Sequence, residues 1–368
     1  MYNIIRDDID NFVFISDIHL GCKNASIEWS ENIVSYFKNF FIPILEQQTK
    51  CGKTAVIIAG DFFDNRQNID INIMNIGANI MEEISKICEV FILIGNHDIY
   101  KKSDIDISST RIFKYFNNVK VIDDIAEILC KDNIRMTLIP WIGDHKKETE
   151  IISEHADSNF IVMHASISGM SMDNGREILD GANPSVIKNG MILSGHIHKR
   201  QESKKVIYFG SPYQMRRSDI GNDKGLYILH IENKPSLTYV QNTYSPKFLR
   251  LNLLDILDKD IDELKTIVYN NYVDIIIKKR WMNDISVSKL MEIMDQCQVK
   301  KIEIILDKDD NIINDKEATV NKDMTITDVF NSRLNSYSLS DNDIQYLNNL
   351  NNSYLKLATD NLGLEDTI

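Results

Sequence analysis

Eight short runs of β-branched and aromatic residues fall in the first two thirds of the chain, and five of the first six give way within three residues to Asp, Asn or His. The runs occupy 12–16, 54–59, 90–94, 136–139, 160–163, 191–193, 206–209 and 226–231. Most are apolar at consecutive positions, the pattern of strands covered on both faces. Between them, 27–48 and 69–88 carry apolar residues at helical spacing. Strand and helix alternating in this way predict a layered α/β domain. The longest apolar runs fall far short of the roughly 20 residues a membrane-spanning helix needs, so no membrane partner is expected.

The α/β pattern extends over 1–246, and the proline-containing stretch 233–246 reads as its boundary. A smaller α+β unit at 247–310 follows as strand 248–253, helix 261–269, strand 273–278, helix 287–296 and strand 301–306. At about 60 residues it is too small to be expected to stand without its neighbour. The tail 311–368 is rich in Asn, Asp and Ser, with a capping box at Ser340-x-x-Asp343 and a stripe of Ile344, Leu347, Leu350, Tyr354 and Leu357 that predicts one amphipathic helix. The five cysteines are scattered without a C-x-x-C pair, and the first residues carry no basic region followed by an apolar stretch. Both point to reduced thiols in a cytoplasmic compartment, that of a host if the gene is a phage's.

The chemistry sits where strands end. Asp17-x-His19 follows the first run, and side chains two apart on a strand share a face, so carboxylate and imidazole can converge on one ion. Gly60-Asp61-Phe62-Phe63-Asp64 follows the second and Gly95-Asn96-His97-Asp98 the third. His164 ends the run 160–163, and Gly195-His196-Ile197-His198 follows 191–193. Ligands of α/β sheets collect at the carboxyl ends of strands. Each motif alone is consistent with a loop built on Asx turns, but five strand-end sites in this order point jointly to a metal centre.

The order D-x-H, G-D-x-x-D, G-N-H-D, lone His and G-H-x-H resembles the calcineurin-like metallophosphoesterase superfamily. With Asp17-Ile18-His19-Leu20-Gly21, Ile139-Pro140-Trp141 and Gly210-Ser211-Pro212-Tyr213, the chain is similar to SbcD-type DNA-repair nuclease subunits, and most of all to phage recombination endonuclease subunits of the T4 type. The resemblance implies a two-sheet β-sandwich flanked by helices, the small unit acting as a capping domain and the tail as a helical extension. It implies one metal on Asp17, His19, Asp61 and His198 and another on Asp61, Asn96, His164 and His196, with Asp61 bridging. The donors are oxygen and nitrogen without thiolate, which suits two divalent ions, manganese first, with magnesium, iron or zinc as alternatives. Such a pair, about 3.5–4 Å apart, holds an attacking hydroxide and stabilises charge on a phosphoryl oxygen. His97 would contact the scissile phosphate as the catalytic residue. Asp64 departs from cellular members, which carry His there in exonuclease chemistry, so the balance of exonuclease and endonuclease activity stays open.

Partners implied by the same resemblance are DNA, an SbcC-type coiled-coil ATPase docked by the tail helix, and a second copy of the chain. The stripe Ile73, Ile76 and Ile80 is the surface considered for a homodimer, with core packing as the other reading. A net charge of −13, from 41 Lys and Arg against 54 Asp and Glu, excludes a protein that coats nucleic acid by bulk charge. Basic groups are local: Lys199-Arg200, Lys204-Lys205, Arg216-Arg217 and Lys278-Lys279-Arg280, of which Lys199, Arg216 and Arg217 lie beside the predicted metal site. Alternative readings are a phosphomonoesterase or cyclic-nucleotide phosphodiesterase on the same metal core, and a non-catalytic scaffold for DNA ends. A protein phosphatase is disfavoured, because Asn65 and Asp98 stand where that group has Arg and Glu.

Overall fold

A computed structural model describes residues 2–101, 104–232, 234–278, 287–307 and 345. The first three apolar runs form strands Asn11–Ile15, Thr54–Ile58 and Glu89–Leu93, parallel neighbours in a six-stranded sheet. That sheet runs, edge to edge, Ser236–Gln241, Gly225–His230, Asn11–Ile15, Thr54–Ile58, Glu89–Leu93, Val119–Ile122. A seven-stranded sheet runs Tyr2–Arg6, Ala126–Cys130, Arg135–Ile139, Phe160–His164, Met191–Gly195, Val206–Tyr208, Gln201–Glu202.

Pleating explains why these strands are apolar throughout. Phe12 and Phe14 join Ala55, Ile57, Phe91 and Leu93 in a core shared with Ile128, Leu138, Val162 and Leu193 of the other sheet. Val13, Ile15, Val56, Ile58 and Ile92 face the opposite way and pack with helix residues Ile33, Leu45, Ile80, Met81 and Ile84. The outer face of the seven-stranded sheet packs Ile139, Ile161, Met163 and Ile192 around Ile152 of helix His145–Glu154. The expected two-sheet sandwich flanked by helices is therefore the architecture observed.

The helical stretch 27–48 is realised as Ile27–Tyr36 and Ile42–Cys51 joined through a π-helical turn, Phe37–Phe41. The stretch 69–88 is helix Ile71–Ile87, capped by Asp70, whose Oδ1 accepts from the Asn72 amide at 2.8 Å. Ile73 and Ile80 on this helix are 2% and 4% exposed, and Ile76 packs against the same core. The stripe considered for a dimer is interior packing. The stretch 233–246, read as a boundary, contains strand Ser236–Gln241, because alternate residues Leu237 and Tyr239 cover the inter-sheet core.

Strands Phe248–Asn252, Tyr272–Lys278 and Lys301–Asp307 form a three-stranded sheet accompanied by helices Ile261–Val268 and Val287–Gln296. Residues 1–276 and 286–305 make one compact unit. Within it the Trp29 ring stacks on Tyr272 at 5.5 Å and lies 6.0 Å from Phe248. The Tyr272 hydroxyl donates to Glu28 Oε1 at 2.6 Å and accepts from Asn32 Nδ2 at 2.9 Å. The predicted tail helix at 344–357, Gln345 apart, and the doublet Lys279-Arg280 lie outside the described residues.

Trp29 is 8% exposed and joins two stacks, so Trp29→Ala is expected to cost about 3–5 kcal/mol. Urea denaturation measures it, and an unmoved midpoint would show the stack to be dispensable.

Candidate metal centre

Parallel strands that start together also end together. Asn11–Ile15, Thr54–Ile58 and Glu89–Leu93 deliver Asp17, His19, Asp61, Asn96 and His97 to one end of the sandwich. The neighbouring parallel strands Phe160–His164 and Met191–Gly195 deliver His164, His196 and His198 from the other sheet. The chain turns sharply there: Asp17, His19, Asp61 and His196 adopt φ of 55°, 47°, 54° and 88°. Left-handed backbone at non-glycine residues costs of order 1–3 kcal/mol each and gathers at functional sites. Gly60 and Gly195 open a slot for the His164 ring, since a Cβ on them would stand 2.4 and 2.8 Å from its Nδ1. That nitrogen donates to the Ala59 carbonyl at 2.8 Å, which leaves Nε2 aimed into the site.

The donor atoms form two nests. In the first, Nε2 of His19 lies 3.0 Å from Nε2 of His198, 3.5 Å from Asp61 Oδ2 and 4.0 Å from Asp17 Oδ1. Nε2 of His198 is 3.8 Å from the same Asp17 oxygen. In the second, Asn96 Oδ1 lies 3.0 Å from His164 Nε2 and 2.8 Å from His196 Nδ1, and His164 Nε2 is 3.2 Å from Asp61 Oδ2. Asp61 Oδ2 thus touches both nests. Donors held about 2.1 Å from one ion sit about 3 Å from each other. Two imidazole nitrogens 3.0 Å apart can share one N–H···N bond, or, with both lone pairs free, take one cation between them. The residues fit a pair of divalent ions.

Residues 11–200 match the model of the calcineurin-like phosphoesterase family, which is more than half of the chain. The chain belongs to that family. Metallophosphoesterases of this kind use divalent metals. Exonuclease subunit 1 of Enterobacteria phage T4 is 28% identical over 236 residues, covering 62% of this chain and 67% of that protein. The phosphoesterase-named proteins 078R of Invertebrate iridescent virus 3 and 244L of Invertebrate iridescent virus 6 are 22% and 25% identical. They are matched over 58% and 61% of this chain and 60% and 77% of their own lengths.

Around the phosphoesterase centre stand residues that brace it. Asp98 is fully buried and accepts from the amides of Asp61, Phe62, Phe63 and Gly95 at 2.9–3.3 Å. One carboxylate therefore holds two strand-end loops together. Lys224, 4% exposed, donates to the His198 carbonyl at 2.6 Å, Ser211 Oγ at 2.9 Å and Asp219 Oδ1 at 3.0 Å. The Gly210-Ser211-Pro212-Tyr213 turn also braces the first motif, because the Tyr213 hydroxyl donates to the Ile18 carbonyl at 2.5 Å. The Trp141 ring covers His196 at 5.2 Å and His164 at 6.1 Å.

His97 lies half-buried beside the first nest, its amide donating to Asp61 Oδ1 at 2.8 Å and its Nδ1 to the Asp64 carbonyl at 2.6 Å. Arg216 is exposed at a cavity of about 110 Å³ whose lining includes His19, Asp64 and His198. Lys199 is half-buried, and its amide donates to Asp173 Oδ1 at 3.1 Å. Arg217, read from sequence as a DNA contact, instead binds the buried Asp274 through Nε at 2.8 and 3.0 Å, and reaches Glu303 with Nη2. A carboxylate 1% exposed needs a counter-charge, and Arg217 supplies the nearer one, with Arg250 Nη2 at 3.5 Å.

Charge in the site is finely opposed. Burial works to raise the Asp61 carboxyl, but His164, His19 and His97 outweigh it and hold it well below the usual carboxylate range. Burial lowers His164, yet Asp61 and then Asp17 bring it up to about 9. Burial and then the charge on His164 push His196 down to about 3, and burial takes His198 well below its ordinary value. Burial and the Asp61 charge push Asp98 up to about 7 against its backbone donors.

A proton on Nε2 of His164 competes with a metal ion for the same lone pair. Asp61 and Asp17 favour that proton, so binding releases it and Mn2+ affinity should rise with pH from 6.5 towards 9. Isothermal titration across this range measures the slope. A flat profile would remove His164 from the ligand set.

Proposed function

We propose that this phosphoesterase is a dinuclear metal-dependent DNA nuclease, cutting phosphodiesters as exonuclease and endonuclease and working with an SbcC-type ATPase in recombination and double-strand-break repair. The observation that carries the reading is the convergence of Asp17, His19, Asp61, Asn96, His164, His196 and His198 on two nests that share Asp61, with His97 alongside. The phage relative's name, an exonuclease subunit, supports DNA as substrate and a second subunit as partner. Association of two copies would use a surface other than the Ile73 stripe.

When bound, two divalent ions, manganese foremost, supply a water nucleophile and stabilise charge on the phosphoryl group. The chain's own residues set the rest. His97 is held with Nδ1 donating to the Asp64 carbonyl, which leaves Nε2 to meet the phosphate. As the P–O bond to the leaving sugar breaks, the imidazolium form of His97, with a proton on each nitrogen, passes the Nε2 proton to the departing oxygen and keeps the Nδ1 proton on the Asp64 carbonyl. Arg216, exposed beside the first nest, offers a cation to the adjoining backbone phosphate. The acidic surface elsewhere confines DNA to this cleft and makes affinity weak without a partner.

The purified chain should degrade linear duplex and single-stranded DNA in Mn2+, and Asp61→Asn and His97→Ser should each lose at least about a hundredfold in rate. Cleavage of small phosphomonoesters with DNA untouched would replace the nuclease reading by the phosphomonoesterase one. Cleavage of neither, with DNA and ATPase still bound, would make the protein a scaffold. Arg216→Ala should weaken DNA binding and reduce the salt slope by about 0.9. Arg217→Ala should leave the slope alone and lower the urea midpoint, because it leaves Asp274 with only the longer 3.5 Å contact to Arg250. Equal effects of the two variants on the slope would return Arg217 to the DNA interface.

A further inference from the structure

We propose that Asp64 is a positioning residue for His19, so that the nest of Asp17, His19 and His198 depends on a carboxylate outside it. The inference rests on the reading of this site as a metal centre. For Nε2 of His19 to meet a cation, its proton must sit on Nδ1. Nδ1 is buried and has no aligned acceptor, and a buried donor is normally satisfied. Asp64 Oδ1 lies 3.1 Å from it, within hydrogen-bonding reach but off the N–H axis. A small rotation of the half-exposed Asp64 side chain completes the bond. The backbone already keeps the two residues together: the Asp64 amide donates to the Leu20 carbonyl at 3.0 Å, and the Leu20 amide donates to the Phe62 carbonyl at 2.9 Å.

Residue 64 thus addresses two imidazoles through different groups, its side chain for His19 and its carbonyl for His97. The second nest is fastened otherwise. The outer nitrogen of His164 donates to the Ala59 carbonyl, a main-chain acceptor that substitution of residue 59 does not remove. The outer nitrogen of His198 stands 3.9 Å from Asp173 Oδ2, beyond hydrogen-bonding distance. A carboxylate on the far nitrogen of a metal-bound imidazole fixes its tautomer and raises its basicity, and loss of such a partner lowers metal affinity about 10- to 100-fold.

Titration of the metal-free full chain with Mn2+ alone, followed calorimetrically, tests the assignment without any turnover. Asp64→Ala should weaken one of the two binding steps about 10- to 100-fold and leave the other within about threefold. Asp64→Asn keeps an acceptor oxygen without its charge and should recover part of the loss. Thermal unfolding of the metal-free proteins should match the parent's. If Asp64→Ala unfolds, the isosteric Asn variant carries the test, with a smaller loss confined to one step. Unchanged titrations, equal loss in both steps, or an Asn variant as weak as the Ala variant would overturn the role of Asp64. Failure of the parent itself to bind Mn2+ would overturn the metal centre, a result distinct from these.

Discussion

Burying a charged carboxylate costs several kcal/mol unless charge and hydrogen bonds compensate, and Asp61, at the end of strand Thr54–Ile58, is 2% exposed. The surrounding structure follows from keeping it there. Its Oδ2 faces His19 and His164 from opposite sheets, and its Oδ1 accepts the His97 amide. Gly95 must lack a side chain, since a Cβ would come within 2.3 Å of Asp61 Oδ1. Asp98 gathers the amides of 61–63 and 95, so the loop that carries Asp61 cannot drift from the loop that carries Asn96 and His97. The parallel register of three adjacent strands aligns these loops in the first place.

Much of this was legible before any coordinates. Strands covered on both faces announce themselves by apolar residues at every position, and Asp17, Asp61, Asn96, His164 and His196 could be placed because each follows such a run. Strands Tyr2–Arg6 and Val119–Ile122 escaped notice because their sequences mix polar and apolar residues and their partners lie far away in the chain. Ser236–Gln241 was hidden by prolines on either side. Periodicity alone left Ile73, Ile76 and Ile80 between core and surface, and only the packing decides for the core.

The braces of the site were the least legible. Nothing in the sequence near Asp98 says that its carboxylate will meet four amides, and nothing near Lys224 says that it will be buried against the His198 carbonyl. Both contacts join loops rather than neighbours on one element, so no spacing rule reports them. Arg217 shows the converse limit. A basic doublet beside a metal site resembles a phosphate clamp, but which of two adjacent arginines is free depends on Asp274, more than fifty residues further along. The acidic composition likewise gave no hint that its carboxylates would be divided between ligands and the partners of structural cations.

The turn at 215–219 has a mechanical consequence. Arg217 anchors it to Asp274 on the small sheet, the amides of Met215 and Arg216 anchor it to Asp219, and Lys224 carries the line from Asp219 to the carbonyl of His198. Every joint in that series is a charge-assisted hydrogen bond. One line of such bonds thereby ties the small sheet to the loop that carries His198, with Arg216 on its middle member.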